Sequence, residues 1–173
     1  MAKVFINPGH DINLDSGAVN PNSGLRECDV AKEIGGMVEK YLSEAGCEVK
    51  SMQDDSLAAV VEASDEWDAD VFVSIHCNAA NTEAQGTETF SYYNSGEGGR
   101  LAECIQRQLV DALPVVDRGV KTAGFYVIRW TACPAVLVET AFIDNDEDAA
   151  LLVERADDFA RAIARGVTDY LAE

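Results

Sequence analysis

The sequence contains no apolar run approaching the ~20 residues of a membrane span. Its opening, Met1-Ala2-Lys3-Val4-Phe5-Ile6-Asn7-Pro8, is too short in apolar residues to be the hydrophobic stretch of a secretory leader, and it is expected instead to form the first strand. Cations are scarce: 13 Lys plus Arg stand against 31 Asp plus Glu, a net charge of −18. That balance argues against nucleic acid as a partner, since backbone recognition needs clustered Lys and Arg, and against insertion into or docking on an anionic membrane. The five cysteines, Cys28, Cys47, Cys77, Cys104 and Cys133, are odd in number and widely spaced, with no CxxC pair. They form neither a disulfide framework nor a cysteine-based zinc cluster, and they fit a chain folded under reducing conditions. Only four prolines and 13 glycines occur, with no internal repeat, low-complexity tract or linker.

What remains is an ordinary globular composition. With 173 residues, 47% of them hydrophobic, the chain reads as one domain, 1–173, able to bury roughly 70% of its unfolded surface. Short β-branched runs at Val4–Ile6, Val71–Ile75, Phe125–Ile128 and Ala135–Val138 read as buried strands. Cys47–Met52 and Thr87–Tyr92 alternate more, as half-buried or edge strands do. Helical stripes lie between them. Val30, Ile34, Val38 and Leu42 recur at i, i+4 and stop at Gly46; Leu101, Ile105, Leu109 and Leu113 stop at Pro114; Phe159, Ile163, Val167 and Leu171 form the last. A shorter helix is expected over Leu57–Trp67. Strands separated by helices predict a mostly parallel sheet covered on both faces, a three-layer α/β/α domain.

In open α/β sheets, ligands bind outside the carboxyl ends of the strands. The polar residues that follow the strand runs are Asn7-Pro8-Gly9-His10, His76-Cys77-Asn78 and Glu139, so both histidines of the protein fall on one sheet edge. Two neutral imidazoles and a carboxylate suit Zn²⁺ and leave a fourth tetrahedral position for water. Glu27, which opens the first long helix, is the best third ligand candidate. The separations of 17 and 49 residues from His10 to Glu27 to His76 match no local metal motif, so spacing alone is a weak signal. Asn7, Ser74 and Asn78 are candidates for orienting the imidazoles, and Cys77 is expected to point to the opposite face as packing. Asp144, Asp146 and Asp148 imitate a calcium loop, but Ala149 and Arg155 occupy its glycine and bidentate-glutamate positions. Asn145 reads instead as a helix N-cap.

Asn-Pro-Gly-His at 7–10, Ser-Gly-Ala at 16–18, Glu27, Val-Ser-Ile-His-Cys-Asn-Ala at 73–79 and Pro-Ala-Val-Leu-Val-Glu-Thr-Ala-Phe-Ile-Asp-Asn at 134–145 together resemble the zinc-dependent N-acetylmuramoyl-L-alanine amidases of bacterial autolysins and phage endolysins. The resemblance runs from residue 3 to about 171. It implies a mostly parallel six-stranded sheet, Zn²⁺ held by His10, Glu27 and His76, and Glu139 as the catalytic carboxylate. It also implies peptidoglycan as the partner, glycan and stem peptide together, cut between N-acetylmuramic acid and L-alanine at the bacterial cell wall. Residues 100–129 carry five cations and three acids, so Arg129 or Lys121 is expected to steer a stem-peptide carboxylate, with Asn78 a further substrate contact. Met52-Gln53-Asp54-Asp55 stands where many relatives carry Thr-Arg, and the stretch from Asn78 to Gly86 is too short for the inhibitory helix some relatives insert. Two other functions compete. One is a cysteine hydrolase using Cys77 or Cys133, although Cys77 and His76 face apart on a strand. The other is a non-catalytic peptidoglycan-binding module on the same fold.

Overall fold

The first strand, β1 (Lys3–Pro8), buries Val4, Phe5 and Ile6 completely, as a strand covered on both faces must. In the computed structural model, which describes residues 1–173, eleven further elements follow. They are α1 (Glu27–Glu44), β2 (Glu48–Ser51), α2 (Leu57–Glu66), β3 (Val71–Asn78), β4 (Thr87–Ser91), α3 (Glu97–Ala112), β5 (Asp117–Thr122), α4 (Tyr126–Trp130), β6 (Ala135–Phe142), α5 (Asp146–Glu154) and α6 (Ala156–Leu171). The six strands form one sheet in the order β2-β1-β3-β6-β4-β5. All neighbours are parallel except β4 against β6. From β1 the chain first winds outward to β2 and then returns to lay β3 on the other side, so the order reverses between β1 and β3. A crevice is expected outside their carboxyl ends.

The two sheet faces are covered unequally. On one, α1, α3 and α6 close over a core of 27 buried residues that includes the expected stripes Val30–Ile34–Val38–Leu42 and Leu101–Ile105–Leu109. On the other, α2 and α4 cover only eight, around Phe5, Phe72 and Leu137. Gln106, buried in α3, ties that helix to the sheet by hydrogen bonds to Thr89, the Thr87 carbonyl and Asp117. Asn145 caps α5, its side chain accepting from the Glu147 and Asp148 amides.

Two expected features differ. Phe125–Ile128 is not a strand: from Tyr126 it is the five-residue helix α4, whose Val127 and Ile128 reach the thin core while Tyr126, Arg129 and Trp130 stay exposed. A short apolar run has no periodicity to separate strand from helix. The sixth strand is instead Asp-Arg-Gly-Val-Lys-Thr at 117–122, an outer strand too polar to stand out. β4 is not an edge strand either. It lies between β6 and β5, and Glu88 within it is buried rather than half-exposed.

Gly166 sets how closely α6 approaches α3: a Cβ there would lie 2.5 Å from the Ile105 Cα, a backbone atom that cannot swing aside. Gly166→Ala should therefore destabilise the protein by about 1–3 kcal/mol. Gly36→Ala, at an exposed α1 position with open space around the new methyl, should gain roughly 0.5–1 kcal/mol. Urea unfolding of the two variants reads both signs.

Candidate metal centre and its carboxylate

Three side chains cluster beyond the carboxyl ends of β1 and β3. His10 follows β1, His76 lies near the end of β3, and Glu27 is the first residue of α1. The Glu27 Oε1 atom is 3.0 Å from His10 Nε2 and 3.0 Å from His76 Nδ1. One ligand atom from each of the three lies within 4.8 Å of the others. The two imidazoles meet edge-on, with centroids 5.0 Å apart.

Backbone features allow this approach. His10 itself has φ of +65°, a left-handed conformation disfavoured for a side-chain-bearing residue and held here by its surroundings. Gly9 lies against the face of His76, where a Cβ would come within 2.4 Å of the ring. Gly17, at φ +63°, lies against both Glu27 and His10, where a Cβ would sit 2.5 Å from each. These two glycines are needed because side chains occupy the space a methyl would take.

Surrounding groups then fix the ligands. Asp15 Oδ2 is 2.6 Å from His10 Nδ1, which orients the ring with Nε2 facing Glu27. Glu27 is buried and accepts backbone N–H bonds from Cys77 on Oε1 and Ala18 on Oε2. Gln53, just beyond β2, donates its amide to the carbonyls of both Gly9 and Cys28, the neighbours of His10 and Glu27. Gly9 in turn donates its N–H to the carbonyl of Ile75, next to His76. One side chain thus braces all three ligand-bearing segments.

The electrostatics follow. The hydrogen bond to Glu27 lifts the His10 pKa to about 9, burial opposing and Asp15 reinforcing it. Burial alone would raise Glu27, but hydrogen bonds from His10 and His76 outweigh it and hold the carboxyl at about 2. Two nitrogens and one ionised oxygen converging from braced segments fit a divalent borderline cation such as Zn²⁺.

Glu139 stands beside this cluster. It is the register partner of His76 across the β3–β6 pair, so the two side chains project from the same face. Its Oε2 is buried with no hydrogen-bond partner. Burial, then the charges of Glu27 and Glu88, push its pKa up to about 8, with His10 pulling the other way. It pairs with neither Arg129 nor Lys121. Lys121 instead reaches Glu88, the register partner of Glu139 on β4, together with Arg118 at 3.2 Å and Asn78 at 2.7 Å. These bonds overcome burial and keep Glu88 below the usual carboxylate range. Arg129 lies away from the cluster, near the start of β6.

The other expectations divide. Asn7 and Ser74 bond each other, and Asn78 bonds Glu88, so none of the three orients an imidazole. Asp15 does so, and the sequence carried little sign of it beyond its place five residues after His10. Gln53 was findable by the rule that found the histidines, had it been applied to the polar residues after β2. Cys77 is buried among apolar residues, and burial drives its thiol well above the usual range. Cys133 is pushed up to about 12, chiefly by burial, and sits just before β6, at the end opposite His76. Neither thiol is prepared to ionise, which removes the basis for a cysteine hydrolase.

A family model described as N-acetylmuramoyl-L-alanine amidase matches residues 4–169. Among curated proteins, the N-acetylmuramoyl-L-alanine amidase LytC of Bacillus subtilis is 42% identical over 96% of this chain, which spans 35% of that protein. Among solved structures, the N-acetylmuramoyl-L-alanine amidase AmiC2 of Nostoc punctiforme superposes with a TM-score of 0.92 at 34% identity, covering 99% of this chain and 98% of that one. The catalytic domain of CwlV from Bacillus (Paenibacillus) polymyxa also gives 0.92, at 32% identity and 99% of both chains. With a matching six-stranded fold and a family model running almost end to end, the chain belongs to the N-acetylmuramoyl-L-alanine amidase family.

Proposed function

We propose that the protein is a peptidoglycan amidase acting at the bacterial cell wall. It would hydrolyse the amide between N-acetylmuramic acid and L-alanine, with Zn²⁺ held by His10, Glu27 and His76 and Glu139 as general base. The observation that carries this reading is the buried, unpartnered Oε2 of Glu139 on the strand position beside His76. A carboxylate left without a partner costs free energy, and in native structures such a group marks a functional demand.

An amide resists hydrolysis because its carbonyl is resonance-stabilised and its amine leaves poorly. Zn²⁺ bound at this site supplies Lewis-acid activation of the carbonyl and of the attacking water. Glu139 takes a proton from that water and returns it to the departing nitrogen, a transfer worth roughly 10²–10⁴-fold in such sites. Burial, with the charges of Glu27 and Glu88, pushes its carboxyl pKa up, and a divalent cation at the three ligands would draw it back toward the ionised form a base needs. Glu88 contributes a fixed neighbouring charge, kept ionised by Lys121 and Arg118. Lys121 is thereby committed to Glu88, and its part in steering a stem-peptide carboxylate is shared between the two acceptors. Asn78 donates to the same carboxylate and is proposed as a further substrate contact. Residues 1–173 act in this reading as a single catalytic domain, one part of what LytC carries.

Glu139→Gln should keep stoichiometric zinc, measured by metal analysis, and lose roughly 10²–10⁴-fold in release of stem peptides from purified cell walls. Mass spectrometry of the products identifies the bond cut. Chelation should abolish wild-type activity, and added Zn²⁺ should restore it. If the protein holds zinc yet frees no stem peptide from any wall preparation, the binding-module reading replaces this one.

Gln53→Ala tests the brace. Because Gln53 holds ligand-bearing backbone rather than a ligand, the expected loss of zinc affinity is about tenfold, the low end for groups supporting metal ligands. Competition with a chromophoric chelator measures it without reference to turnover.

A further inference from the structure

Every exposed aromatic side chain of the protein lies in one patch. Tyr93, Phe125, Tyr126 and Trp130 are 65%, 41%, 42% and 56% exposed, and no other Phe, Tyr or Trp is exposed to that degree. Tyr126 and Trp130 stand one helical turn apart on the outer side of α4, with centroids 6.4 Å apart. Tyr92 and Tyr93 follow β4, their rings 4.3 Å apart. Between the two pairs lies Arg129, its guanidinium 5.8 Å from the Tyr92 ring and 4.8 Å from the Trp130 ring.

Arg129 is unusual in this protein. Arg26, Arg100, Arg107, Arg118, Arg155, Arg161 and Arg165 all pair with a carboxylate. Arg129 pairs with none, although acids outnumber cations 31 to 13. It is held instead on aromatic faces, with its donors left for something outside the chain. Beside it opens a cavity of about 260 Å³ lined by Tyr92, Tyr93, Arg129, Cys133, Pro134 and Glu97, the last already engaged by Arg100 and Tyr170. That space suits one ring or one short side chain rather than a whole small-molecule ligand, which takes roughly 300 Å³ or more.

The patch is remote from the metal cluster. The cavity touches Ala135, the first residue of β6, and Glu139 is four residues further along the strand, about 13 Å at ~3.3 Å per residue. A ligand held there is not at the reacting bond.

We propose that Tyr92, Arg129 and Trp130 form an accessory binding site for peptidoglycan, engaging a part of the polymer distant from the amide being cut. A sugar ring lays its apolar C–H face on Trp130 or Tyr126, and a carboxylate of the peptide portion meets Arg129. Charge complementarity selects this occupant: the ligand must be anionic at one point and flat and partly apolar beside it, and peptidoglycan repeats both features. The inference rests on the amidase reading for the identity of the polymer. A second contact on a polymeric substrate raises the effective concentration of scissile bonds at the metal cluster without any new contact there.

The test separates binding from turnover. In a Glu139→Gln background, partition onto purified insoluble cell-wall sacculi is measured for the otherwise unchanged protein and for added Arg129→Ala or Trp130→Ala. Both side chains are exposed, and circular dichroism checks folding. The expected result is about a tenfold loss of apparent affinity for sacculi from either change. Arg129→Lys should recover only part of it, since an ammonium keeps the charge but not the planar fork or the stacking. In the active protein the same changes should slow sacculus hydrolysis at low substrate by a like factor, yet leave hydrolysis of a soluble single-disaccharide muropeptide unchanged. Unaltered partition would overturn the proposal. So would an equal loss on the soluble fragment, which assigns the residues to the reaction site, or a shift in sedimentation, which assigns the patch to self-association. Should wild-type protein cleave no muropeptide, the amidase reading fails while the sacculus partition still decides this one.

Discussion

The structure turns on one buried carboxylate. Glu27 is 4% exposed, and its Oε1 is shared between two imidazoles that arrive from different strands. An isolated carboxylate at that depth would take up a proton to escape its desolvation. Two imidazole nitrogens and two backbone N–H groups keep it ionised. Satisfying it dictates much of the local chain path. The loop from residue 9 to 26 must fold back so that Ala18 can donate, Gly17 must accept a left-handed backbone, and α1 must begin where β1 and β3 end. The same convergence that stabilises Glu27 also brings one potential ligand atom from each of His10, Glu27 and His76 within 4.8 Å of the others.

The unequal covering of the sheet leaves the face that carries His76 and Glu139 the more thinly covered of the two. The thick layer of α1, α3 and α6 seals one face, while α2 and α4 cover only part of the other. Glu139, Glu88 and Lys121 lie beyond that thin cover on adjacent strands β6, β4 and β5. The cations of β5 reach only the nearer of the two glutamates, so Glu88 is ion-paired and held low, whereas Glu139 has no ion-pair partner and is pushed up by burial, His10 only partly opposing. Two carboxylates on paired strands thereby take opposite protonation tendencies from their surroundings alone.

Much of this was legible in the sequence where the physics is local. Buried parallel strands need unbroken β-branched runs, and Val4–Ile6, Val71–Ile75 and Ala135–Val138 supplied them. The rule that sites lie at carboxyl ends then picked out His10, His76 and Glu139 together, while Glu27 was marked by its place at a helix start. What failed was non-local or too short to have a period. β5 earns its place by pairing with β4 rather than by its own hydrophobicity, so Asp-Arg-Gly-Val-Lys-Thr gave no signal, and Phe125–Ile128 took its role in the strand count. With β5 missing, the partner of Lys121 could not be found, and Glu88 was read as half-exposed when it is enclosed by Lys121 and Arg118. Asp15 was hidden for a different reason: it acts from a loop whose path is set by Glu27, and a path of that kind has no signature in residue spacing, whereas Gln53 follows β2 and lay within reach of the strand-end rule.

The same segment, residues 125–128, decides which side chains face outward near the start of β6. As a strand, that segment would bury alternate side chains against neighbours on both faces. As a single exposed helical turn anchored by Val127 and Ile128, it turns Tyr126, Arg129 and Trp130 outward together. Leaving three such side chains in water gains little for folding beyond the contacts of Arg129 with the Tyr92 and Trp130 rings: much of the aromatic area stays hydrated, and the guanidinium forgoes the ion pairs that all other arginines of the chain make. One sheet joins that patch to the His10–Glu27–His76 cluster, and β6 contributes to both, with Ala135 at one and Glu139 at the other. The spacing between them is therefore fixed by strand geometry rather than by a flexible linker. Fixed spacing is the condition under which a second contact with a repeating polymer positions the bond at the first, instead of merely retaining the protein nearby.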